Sequence, residues 1–389
     1  MSLAALAEFF LPTRIVFGEG SLGRLGDETR SLGAERVVIS TDKGIAASGI
    51  VDQALAVLQS AGVAATVFDE VEPEPSVGTV GRLRDLFRSE RAGALVAVGG
   101  GSSIDAAKAA AIWATNGGEL PDYAGAEKFT IAPVPVVAIP TTAGTGAEVS
   151  YAAAITDLER HVKFTIRHLR FNRARVAILD PSLLRSVPAV VAVDAGMDAL
   201  AHAVESYTAL KADFFSEALS LHAMELIGAN VRPFVANRGN AAAGAAMLAA
   251  SAMASIAFST AGTGNGHCLA RFVGPALGLT HGRTNAILLP HVVAFNAAAA
   301  PAKYARVAQA LGEPVAGLPE REAAQRAALA VGALCRDLGL PGGFKTYHPD
   351  TASIAALARA AADAGYNQWN PRLTTYEEFR ALLEHLFSA

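Results

Sequence analysis

The stretch Ala94–Ala114, ALVAVGGGSSIDAAKAAAIWA, decides the fold class of this 389-residue chain. A short run of Ala, Leu and Val ends in three glycines, and an alanine-rich segment without Gly or Pro follows them. The apolar run predicts a buried β-strand, and the segment after the glycines predicts a helix. A strand, a glycine-rich turn and a helix together indicate an α/β domain.

Further short strands and amphipathic helical segments alternate through the first half of the chain. The predicted strands are Arg14–Phe17, Arg36–Ser40, Ala65–Phe68, Ala94–Val98, Val134–Ile139 and Val176–Leu179. This alternation predicts a parallel sheet covered by helices on both faces. From Pro181 onward, long Ala- and Leu-rich segments predict successive helices and hardly any strand. We therefore expect an α/β domain of residues 1–180 and an all-helical domain of residues 181–389.

The bulk composition excludes several classes of protein. A formal net charge of −4, without a basic stripe, argues against nucleic-acid binding. Cys268 and Cys335 cannot form a disulfide framework, which favours a reducing cytoplasm. The N-terminal stretch MSLAALAEFFLP lacks a basic region and is interrupted by Glu8, so it is a poor signal peptide. Residues Ala241–Phe258 carry no charge, but their many alanines and the absence of flanking anchors favour a buried helix over a membrane span.

Two glycine-rich segments compete for a nucleotide-binding role. Gly18–Gly23 matches G-x-G-x-x-G after a predicted strand, and Asp42 follows 19 residues beyond Gly23. Gly99–Ser103 follows a strand and directly precedes a helix, so its amides and the helix dipole can bind an anion. Each pattern alone is weak, and the residues by themselves leave the choice open.

One aspartate and three histidines have the spacing of a metal site. Asp198 and His202 stand four residues apart in DAGMDALAHAVESY, which places both on one helix face. His267 and His281 follow on a second, glycine-rich segment. One carboxylate and three imidazoles form a donor set suited to zinc or ferrous iron. The helical domain is thus the predicted metal-binding and catalytic domain.

Five motifs in fixed order carry a family resemblance. They are GGGSSIDAAKA, IPTTAGTGAEVS at Ile139–Ser150, GMDALAHAVESY, THGRTNAILLPHV, and NPR at Asn370–Arg372. The chain resembles the iron-containing (group III) alcohol dehydrogenases, a group that includes maleylacetate reductases and shares the dehydroquinate synthase-like architecture. The resemblance implies a Rossmann-like N-terminal domain, and it assigns the pyrophosphate of the cofactor to Gly99–Ser103. The segment at Gly18 is then a structural turn.

The same resemblance implies the remaining cofactor contacts. Asp42 matches an acidic residue beside the adenine ribose, where a carboxylate accepts bonds from the 2′-OH and repels a 2′-phosphate. We therefore expect NAD rather than NADP. The predicted cofactor-binding residues are Asp42, Gly99, Gly100, Gly101, Ser102, Ser103, Asp105, Thr141, Thr142, Thr145 and Lys163.

The metal ligands implied by the family are Asp198, His202, His267 and His281, holding Fe²⁺ or Zn²⁺. Two positions depart from the family pattern. Arg271 stands where many relatives carry a further histidine, four residues after His267, and Ala152 stands where asparagine is common. Because an arginine binds carboxylates or phosphonates bidentately but cannot shuttle protons, Arg271 is either a substrate anchor or a partner of a protein carboxylate or the cofactor. His267 and Arg271 are the candidate catalytic residues, and the predicted substrate pocket consists of Tyr151, Ala152, Phe258 and Arg271.

The expected function is that of an NAD-dependent, metal-assisted alcohol dehydrogenase or carbonyl reductase. Its substrate is a small alcohol, aldehyde or ketone, including one that carries a carboxylate or phosphonate. One alternative is a maleylacetate-reductase-like enzyme with weak or no metal dependence. Another is a lyase resembling dehydroquinate synthase, and a third is a non-catalytic binding protein.

The expected partners are the small-molecule substrate and further copies of the chain. We expect no nucleic acid and no membrane, and the resemblance implies a homodimer or a larger homo-oligomer. Four arginines at Arg167, Arg170, Arg173 and Arg175 are expected to be a solvated edge of the nucleotide domain or part of a subunit contact.

Overall fold

The computed structural model describes residues 8–160, 162–347 and 351–388. The chain divides into two compact units, a sheet unit of Phe10–Val187 and a helical unit of Pro188 onward, to which Phe9 also belongs. The division follows Val187 rather than the Asp180–Pro181 step. The short 3₁₀ helix Pro181–Ser186 stays with the sheet unit because Leu183 is buried in its core.

Among the described residues of the sheet unit, nine strands form two sheets. They are β1 (Arg14–Phe17), β2 (Arg36–Ser40), β3 (Ala64–Phe68), β4 (Ala94–Gly99), β5 (Gly125–Ala126), β6 (Val136–Pro140), β7 (Ala152–Asp157), β8 (Val162–Arg167) and β9 (Val176–Leu179). The large sheet has the order β1-β9-β6-β4-β2-β3, and all its strand pairs are parallel. The six strands of the large sheet correspond to the six strands predicted from the sequence, and the predicted α/β class is confirmed.

In the described part of this unit, five α-helices accompany the large sheet. They are α1 (Leu25–Ser31), α2 (Lys43–Ala47), α3 (Ile50–Ser60), α4 (Val77–Ser89) and α5 (Gly101–Thr115). Two separate apolar clusters contain alternate residues of the central strands, such as Val96 in one and Leu95 in the other. Both faces of the sheet are therefore covered, as a buried parallel sheet requires.

The small sheet, with the order β5-β8-β7, was not predicted from the sequence. Strands β7 and β8 pair antiparallel, with Ile155 opposite Phe164. Their residues alternate between buried and partly exposed along each strand, which is the period of a half-covered sheet. The prediction missed them because three alanines and a threonine leave β7 with one large apolar residue, and Lys163 and Thr165 interrupt the apolar residues of β8.

The helical unit contains nine α-helices among its described residues. They are α6 (Ala189–Thr208), α7 (Phe214–Ala236), α8 (Ala241–Ala261), α9 (Asn265–Leu277), α10 (His281–Asn296), α11 (Pro301–Ala310), α12 (Glu320–Asp337), α13 (Thr351–Ala364) and α14 (Tyr376–Ser388). Helix α6 packs against α7, α8 and α10. The ring of Phe9 stacks on that of Phe215 with centroids 5.0 Å apart.

Helix α8 is the one helix of the described residues that is long and apolar enough to cross a membrane. Its most apolar window has a mean hydropathy of 1.7, but 61% of that window is buried within the protein. It packs against α6 and α7. These contacts are those of a core helix.

Candidate metal centre and nucleotide site

One aspartate and three histidines from three helices converge in the helical unit. Asp198 and His202 lie on α6, His267 lies in the first turn of α9, and His281 begins α10. Single ligand atoms of Asp198, His267 and His281 lie within 4.8 Å of one another. Nδ1 of His202 lies 3.9 Å from Oδ2 of Asp198, and its ring stacks on that of His267 with centroids 4.4 Å apart. The four positions predicted as metal ligands are therefore neighbours.

The carboxylate of Glu205 orients His267, and sequence reasoning did not include it. Its Oε2 accepts a hydrogen bond from Nδ1 of His267 at 2.6 Å and one from the Gly264 amide at 3.0 Å. Its Oε1 accepts from the Gly266 amide at 2.6 Å. With Nδ1 donating, Nε2 of His267 is the nitrogen left for a ligand, and it lies 3.9 Å from Oδ1 of Asp198.

Opposite charges hold this group in defined ionisation states. Burial raises the pKa of Asp198, but the charges of the three histidines and a hydrogen bond from Asn285 outweigh burial and lower it overall. Burial lowers the pKa of His267, but Glu205 and Asp198 outweigh burial and raise it overall. The centre therefore contains ionised carboxylates that attract a cation.

The donor set fits a divalent metal. Nε2 of His267 is buried and has no hydrogen-bond partner among the described residues. Such an atom normally has a partner, so its environment indicates a missing ligand. Nδ2 of Asn285 lies 2.8 Å from Oδ1 of Asp198 and 3.1 Å from Nε2 of His281, so it supports both side chains. One carboxylate with imidazole nitrogens suits zinc or ferrous iron.

In the sheet unit, the strand order creates a switch point at the carboxyl ends of β2 and β4. These strands are neighbours, but β3 lies beyond β2 and β6 lies beyond β4, so the chain order reverses between them. A parallel sheet forms a crevice at such a switch point, and ligands bind there. Asp42 follows β2, and Gly99 ends β4.

The glycines at the end of β4 lie so close to neighbouring side chains that there is little room for side chains of their own. A Cβ on Gly99 (φ 155°) would lie 2.5 Å from Oγ of Ser103, and one on Gly101 would lie 2.9 Å from Cγ2 of Thr145. A Cβ on Gly100 would lie 3.5 Å from Oγ1 of Thr142. Helix α5 begins at Gly101, so its free amides face this glycine loop. The structure thus brings the loop and two of the predicted threonines together.

The competing Gly18–Gly23 segment is engaged in the fold. It follows β1, which is an edge strand. The Gly18 amide donates to the Leu179 carbonyl at 3.1 Å, and the Leu22 amide donates to Oδ2 of Asp180 at 3.0 Å. Amides bound to protein acceptors are not available to a phosphate, so the geometry favours the loop at Gly99.

Asp42 lies beside that loop and also caps a helix. Its Oδ1 accepts a hydrogen bond from the Ile45 amide at 3.0 Å, which closes the first turn of α2. Its Oδ2 lies 3.7 Å from the position of a Cβ on Gly99. Thr141 also adjoins the loop, since its amide donates to the Gly99 carbonyl at 3.0 Å.

Other predicted cofactor residues make contacts within the protein. Oδ2 of Asp105 accepts from the Ala154 amide at 2.9 Å, which connects α5 to β7. Nζ of Lys163 lies 2.7 Å from Oε1 of Glu74. The Glu74 amide in turn donates to Oγ of Ser102 at 3.3 Å. Contacts of Asp105, Lys163 and Ser102 with a cofactor stay predictions.

The four residues predicted to line the substrate pocket belong to different units. Tyr151 and Ala152 lie at the start of β7 in the sheet unit. In the helical unit, the ring of Phe258 stacks on that of His202 with centroids 4.4 Å apart. The guanidinium of Arg271 lies 4.3 Å above the ring of Tyr366. A common pocket for these residues stays a prediction.

Comparison with known protein families decides the assignment. The model described as iron-containing alcohol dehydrogenase matches residues 12–181, and the one described as Fe-containing alcohol dehydrogenase family, C-terminal, matches residues 192–387. The chain belongs to the iron-containing alcohol dehydrogenase family.

Individual members of the family match almost the whole chain. An NAD-dependent methanol dehydrogenase of Bacillus methanolicus is 36% identical, over 98% of this chain and 100% of its own length. The crystal structure of a 1,3-propanediol oxidoreductase superposes with a TM-score of 0.96 at 36% identity, covering 98% of this chain and 100% of its own. The structure of a sulfoacetaldehyde reductase from Bifidobacterium kashiwanohense, solved in complex with NAD⁺, superposes with a TM-score of 0.91 at 27% identity. The match covers 99% of this chain and 100% of the reductase chain.

This member of the family is therefore an oxidoreductase that acts on CH–OH groups, as predicted from the sequence. Membership of the family implies NAD and a divalent metal as cofactors. The relatives are dehydrogenases and reductases, which favours the predicted class over the lyase and the binding-protein alternatives.

Proposed function

We propose that the chain transfers hydride between NAD and the carbinol or carbonyl carbon of a small substrate, with a divalent metal held by Asp198, His202, His267 and His281. The observation that carries this proposal is the convergence of three ligand atoms within 4.8 Å, one of them on a histidine whose other nitrogen is fixed by Glu205. When bound there, a divalent metal acts as a Lewis acid that polarises the substrate oxygen and stabilises its negative charge.

The protein's own groups prepare this centre. Glu205 fixes the tautomer of His267, so that Nε2 carries the free lone pair. Asn285 donates to Asp198 and thereby restrains the carboxylate oxygen that faces the histidines. Both Fe²⁺ and Zn²⁺ accept such nitrogen and oxygen donors. We therefore include both metals in the proposal.

NAD is proposed to bind at the glycine loop of residues 99–103. The amides at the start of α5 are suited to the pyrophosphate. The Asp42 carboxylate near Gly99 is suited to the two hydroxyls of the adenine ribose and unsuited to a 2′-phosphate. This arrangement favours NAD over NADP.

The proposed substrates are small alcohols and their aldehydes or ketones, including those with an acidic group. Arg271 supports the acidic class because its guanidinium is half-buried on α9, four residues after His267 and against the Tyr366 ring. Arg271→Ala should then raise KM for a carboxylate- or phosphonate-bearing aldehyde much more than KM for a neutral aldehyde of the same length. Equal effects on both substrates would mean that Arg271 does not bind the acidic group.

The second candidate is a maleylacetate-reductase-like activity with weak or no metal dependence. Arg271 favours it, because such substrates are acidic. The complete set of one aspartate and three histidines counts against it, since an enzyme without a metal does not need four such residues in one buried group.

We further propose a cytoplasmic homodimer or larger homo-oligomer. Both cysteines are free and buried, which suits a reducing compartment. Strand β1 forms one edge of the large sheet, and its Ile15 and Phe17 are partly exposed apolar side chains that a second subunit could cover. Sedimentation velocity tests the oligomeric state.

The decisive experiment compares two histidines on one helix. Metal-free protein is reconstituted with Fe²⁺ or Zn²⁺, and the bound metal and NAD⁺-dependent oxidation of small primary alcohols are measured. His281→Ala should lose both, whereas His291→Ala should keep both. Nε2 of His291 lies 2.8 Å from the Gly342 carbonyl and its ring packs against that of His385, so neither contact involves a proposed ligand. Full activity of metal-free protein, or unchanged metal content in His281→Ala, contradicts the proposed centre.

A further inference from the structure

A cavity in the sheet unit is lined by positively charged side chains and by no carboxylate. Its volume is about 320 Å³. Its four cations are Lys108, Arg170, Arg173 and Arg175. Asn172 is its other polar side chain, and Phe10, Phe171 and several Ala, Pro and Val residues complete the lining. Nothing in the hydride-transfer reaction uses this cavity.

The cavity lies at the amino-terminal ends of the strands of the large sheet, whereas the proposed nucleotide site lies at their carboxyl ends. Val136 begins β6 and Arg175 directly precedes β9, so the lining residues mark the amino-terminal ends of these strands. The glycine loop instead follows the carboxyl end of β4, which is parallel to β6. Along α5, Gly101 and Ala111 are ten positions apart, a rise of about 15 Å. The cavity is therefore distinct from the proposed cofactor site.

The charge of Arg173 is buried and has no carboxylate partner among the described residues. The residue is 6% exposed. Its guanidinium donates to the Leu169 carbonyl at 3.1 Å and to the Val149 carbonyl at 2.7 Å. Burial lowers the pKa of Arg173 to about 10, so the group stays charged at neutral pH. Carbonyl oxygens solvate a guanidinium without neutralising it, and a buried charge is unfavourable until an opposite charge compensates it.

The other two arginines add to this positive field. Arg170 and Arg175 are exposed, and no carboxylate of the described chain lies within ion-pair distance of either guanidinium. Lys108 differs, because its Nζ lies 3.7 Å from Oδ1 of Asp105 and donates to backbone carbonyls. Three arginines without carboxylate partners thus surround one cavity, whose remaining wall is largely apolar.

We propose that this cavity binds a small organic anion, consisting of a compact apolar or aromatic body and a phosphate or carboxylate group. Guanidinium groups bind both anions through paired charge-assisted hydrogen bonds, which Arg170, Arg173 and Arg175 are placed to make. The rings of Phe10 and Phe171 offer contact to the apolar body. The volume is at the lower end of the range for small-molecule sites, about 300–1,000 Å³.

The test measures binding of phenyl phosphate to the full-length enzyme saturated with NAD⁺, by isothermal titration calorimetry. Three further probes are compared with phenyl phosphate. Phenol lacks the charge, inorganic phosphate lacks the ring, and benzoate carries a carboxylate in place of the phosphate. Phenyl phosphate or benzoate should bind at least tenfold more tightly than phenol, and phenyl phosphate more tightly than inorganic phosphate. Whichever of phenyl phosphate and benzoate binds more tightly shows whether the cavity prefers a phosphate or a carboxylate group.

Arginine variants connect the binding to the cavity. The double variant Arg170→Gln, Arg175→Gln should weaken phenyl phosphate binding at least tenfold. The matched control is Arg380→Gln, which removes an arginine that pairs with Glu384 on α14, and it should leave binding unchanged. Two results overturn the proposal: no binding of phenyl phosphate to the NAD⁺-saturated wild type, or equal binding to the wild type and the double variant. A double variant that binds normally but dissociates into smaller oligomers would instead identify the arginines as a subunit contact.

Discussion

Replacement of Glu205 by glutamine should weaken metal binding while the helical unit stays folded. The carboxylate accepts hydrogen bonds from the amides of Gly264, Gly266 and His267 and from Nδ1 of His267. Glutamine has nearly the same volume, but it has only one acceptor oxygen and an NH₂ group that donates. It therefore cannot accept from donors on both sides, as the carboxylate does.

The magnitude follows from the hydrogen bond that must break. If the glutamine oxygen stays toward His267, its NH₂ group faces the Gly266 amide, whose bond to Oε1 is 2.6 Å long in the native protein. A buried donor left without an acceptor costs about 1–3 kcal/mol. Removal of an outer partner of a metal-binding histidine typically lowers metal affinity about 10–100-fold, or about 1.4–2.7 kcal/mol. The first cost falls on the folded protein whether or not metal is bound, so the second figure gives the expected loss of metal affinity, about 10–100-fold.

Competition with a chromophoric chelator measures the affinity of metal-free protein for Zn²⁺ and Fe²⁺, and circular dichroism confirms the helical content. Glu217→Gln is the matched control. Glu217 lies on α7 and pairs with Lys303 at 3.0 Å, and its partly exposed carboxylate makes no contact with the four ligands. Its variant should bind metal as the wild type does. A metal dissociation constant within twofold of wild type for folded Glu205→Gln would refute the argument that this carboxylate orients His267.

Three further predictions test the sheet unit. Gly101→Ala should raise KM for NAD⁺ more than tenfold, because its Cβ would meet Thr145. Gly23→Ala should leave this KM unchanged, because no atom lies within 4 Å of its Cβ. Equal effects of the two substitutions would reopen the choice between the two glycine segments. Asp42→Asn should increase the ratio of kcat/KM for NADPH over NADH at least tenfold, since it removes the charge and keeps an acceptor for the helix cap. Burial raises the pKa of Glu148 from 4.5 to about 7, so the folded state favours the protonated carboxyl group. The free energy of unfolding should therefore fall by on the order of 3 kcal/mol as pH rises from about 4.5 to above 7. Thermal unfolding at several pH values should show this loss in the wild type and not in Glu148→Gln.

The large sheet could be predicted because its strands are continuous apolar runs. Such runs are typical of parallel strands buried on both faces, and their bounds are read directly from the sequence. Strands β7 and β8 could not be predicted in the same way, since Ala152–Asp157 is half covered and contains only one large aliphatic residue, Ile155. Its pairing with β8 depends on contacts that no local pattern encodes.

The candidate site shows the same division between local and tertiary information. Helix spacing suffices to group Asp198 with His202, but the sequence does not say which face of α9 or α10 meets them. Glu205 and Asn285 could have been found, because they follow His202 by three residues and His281 by four, both helical spacings. They were missed because glutamate and asparagine on a helix are usually solvated, and only burial distinguishes these two. The two glycine segments could not be separated by pattern, since only the strand order shows which one lies at a switch point.

The alanine-rich helix α8 has a physical relation to the metal centre. Helix α6 carries Asp198, His202 and Glu205 at relative positions 0, 4 and 7, so one face supplies two proposed ligands and the group that orients a third. Elsewhere on α6, Gly196 lies where the helix meets its neighbours. A Cβ on Gly196 would lie 3.0 Å from Val231 on α7 and 3.1 Å from Met247 on α8. The absence of a side chain at Gly196 therefore lets α7 and α8 approach α6 closely, which a larger residue there would not allow. The packing of α8 against α6 thus helps to fix the helix on which the centre is built.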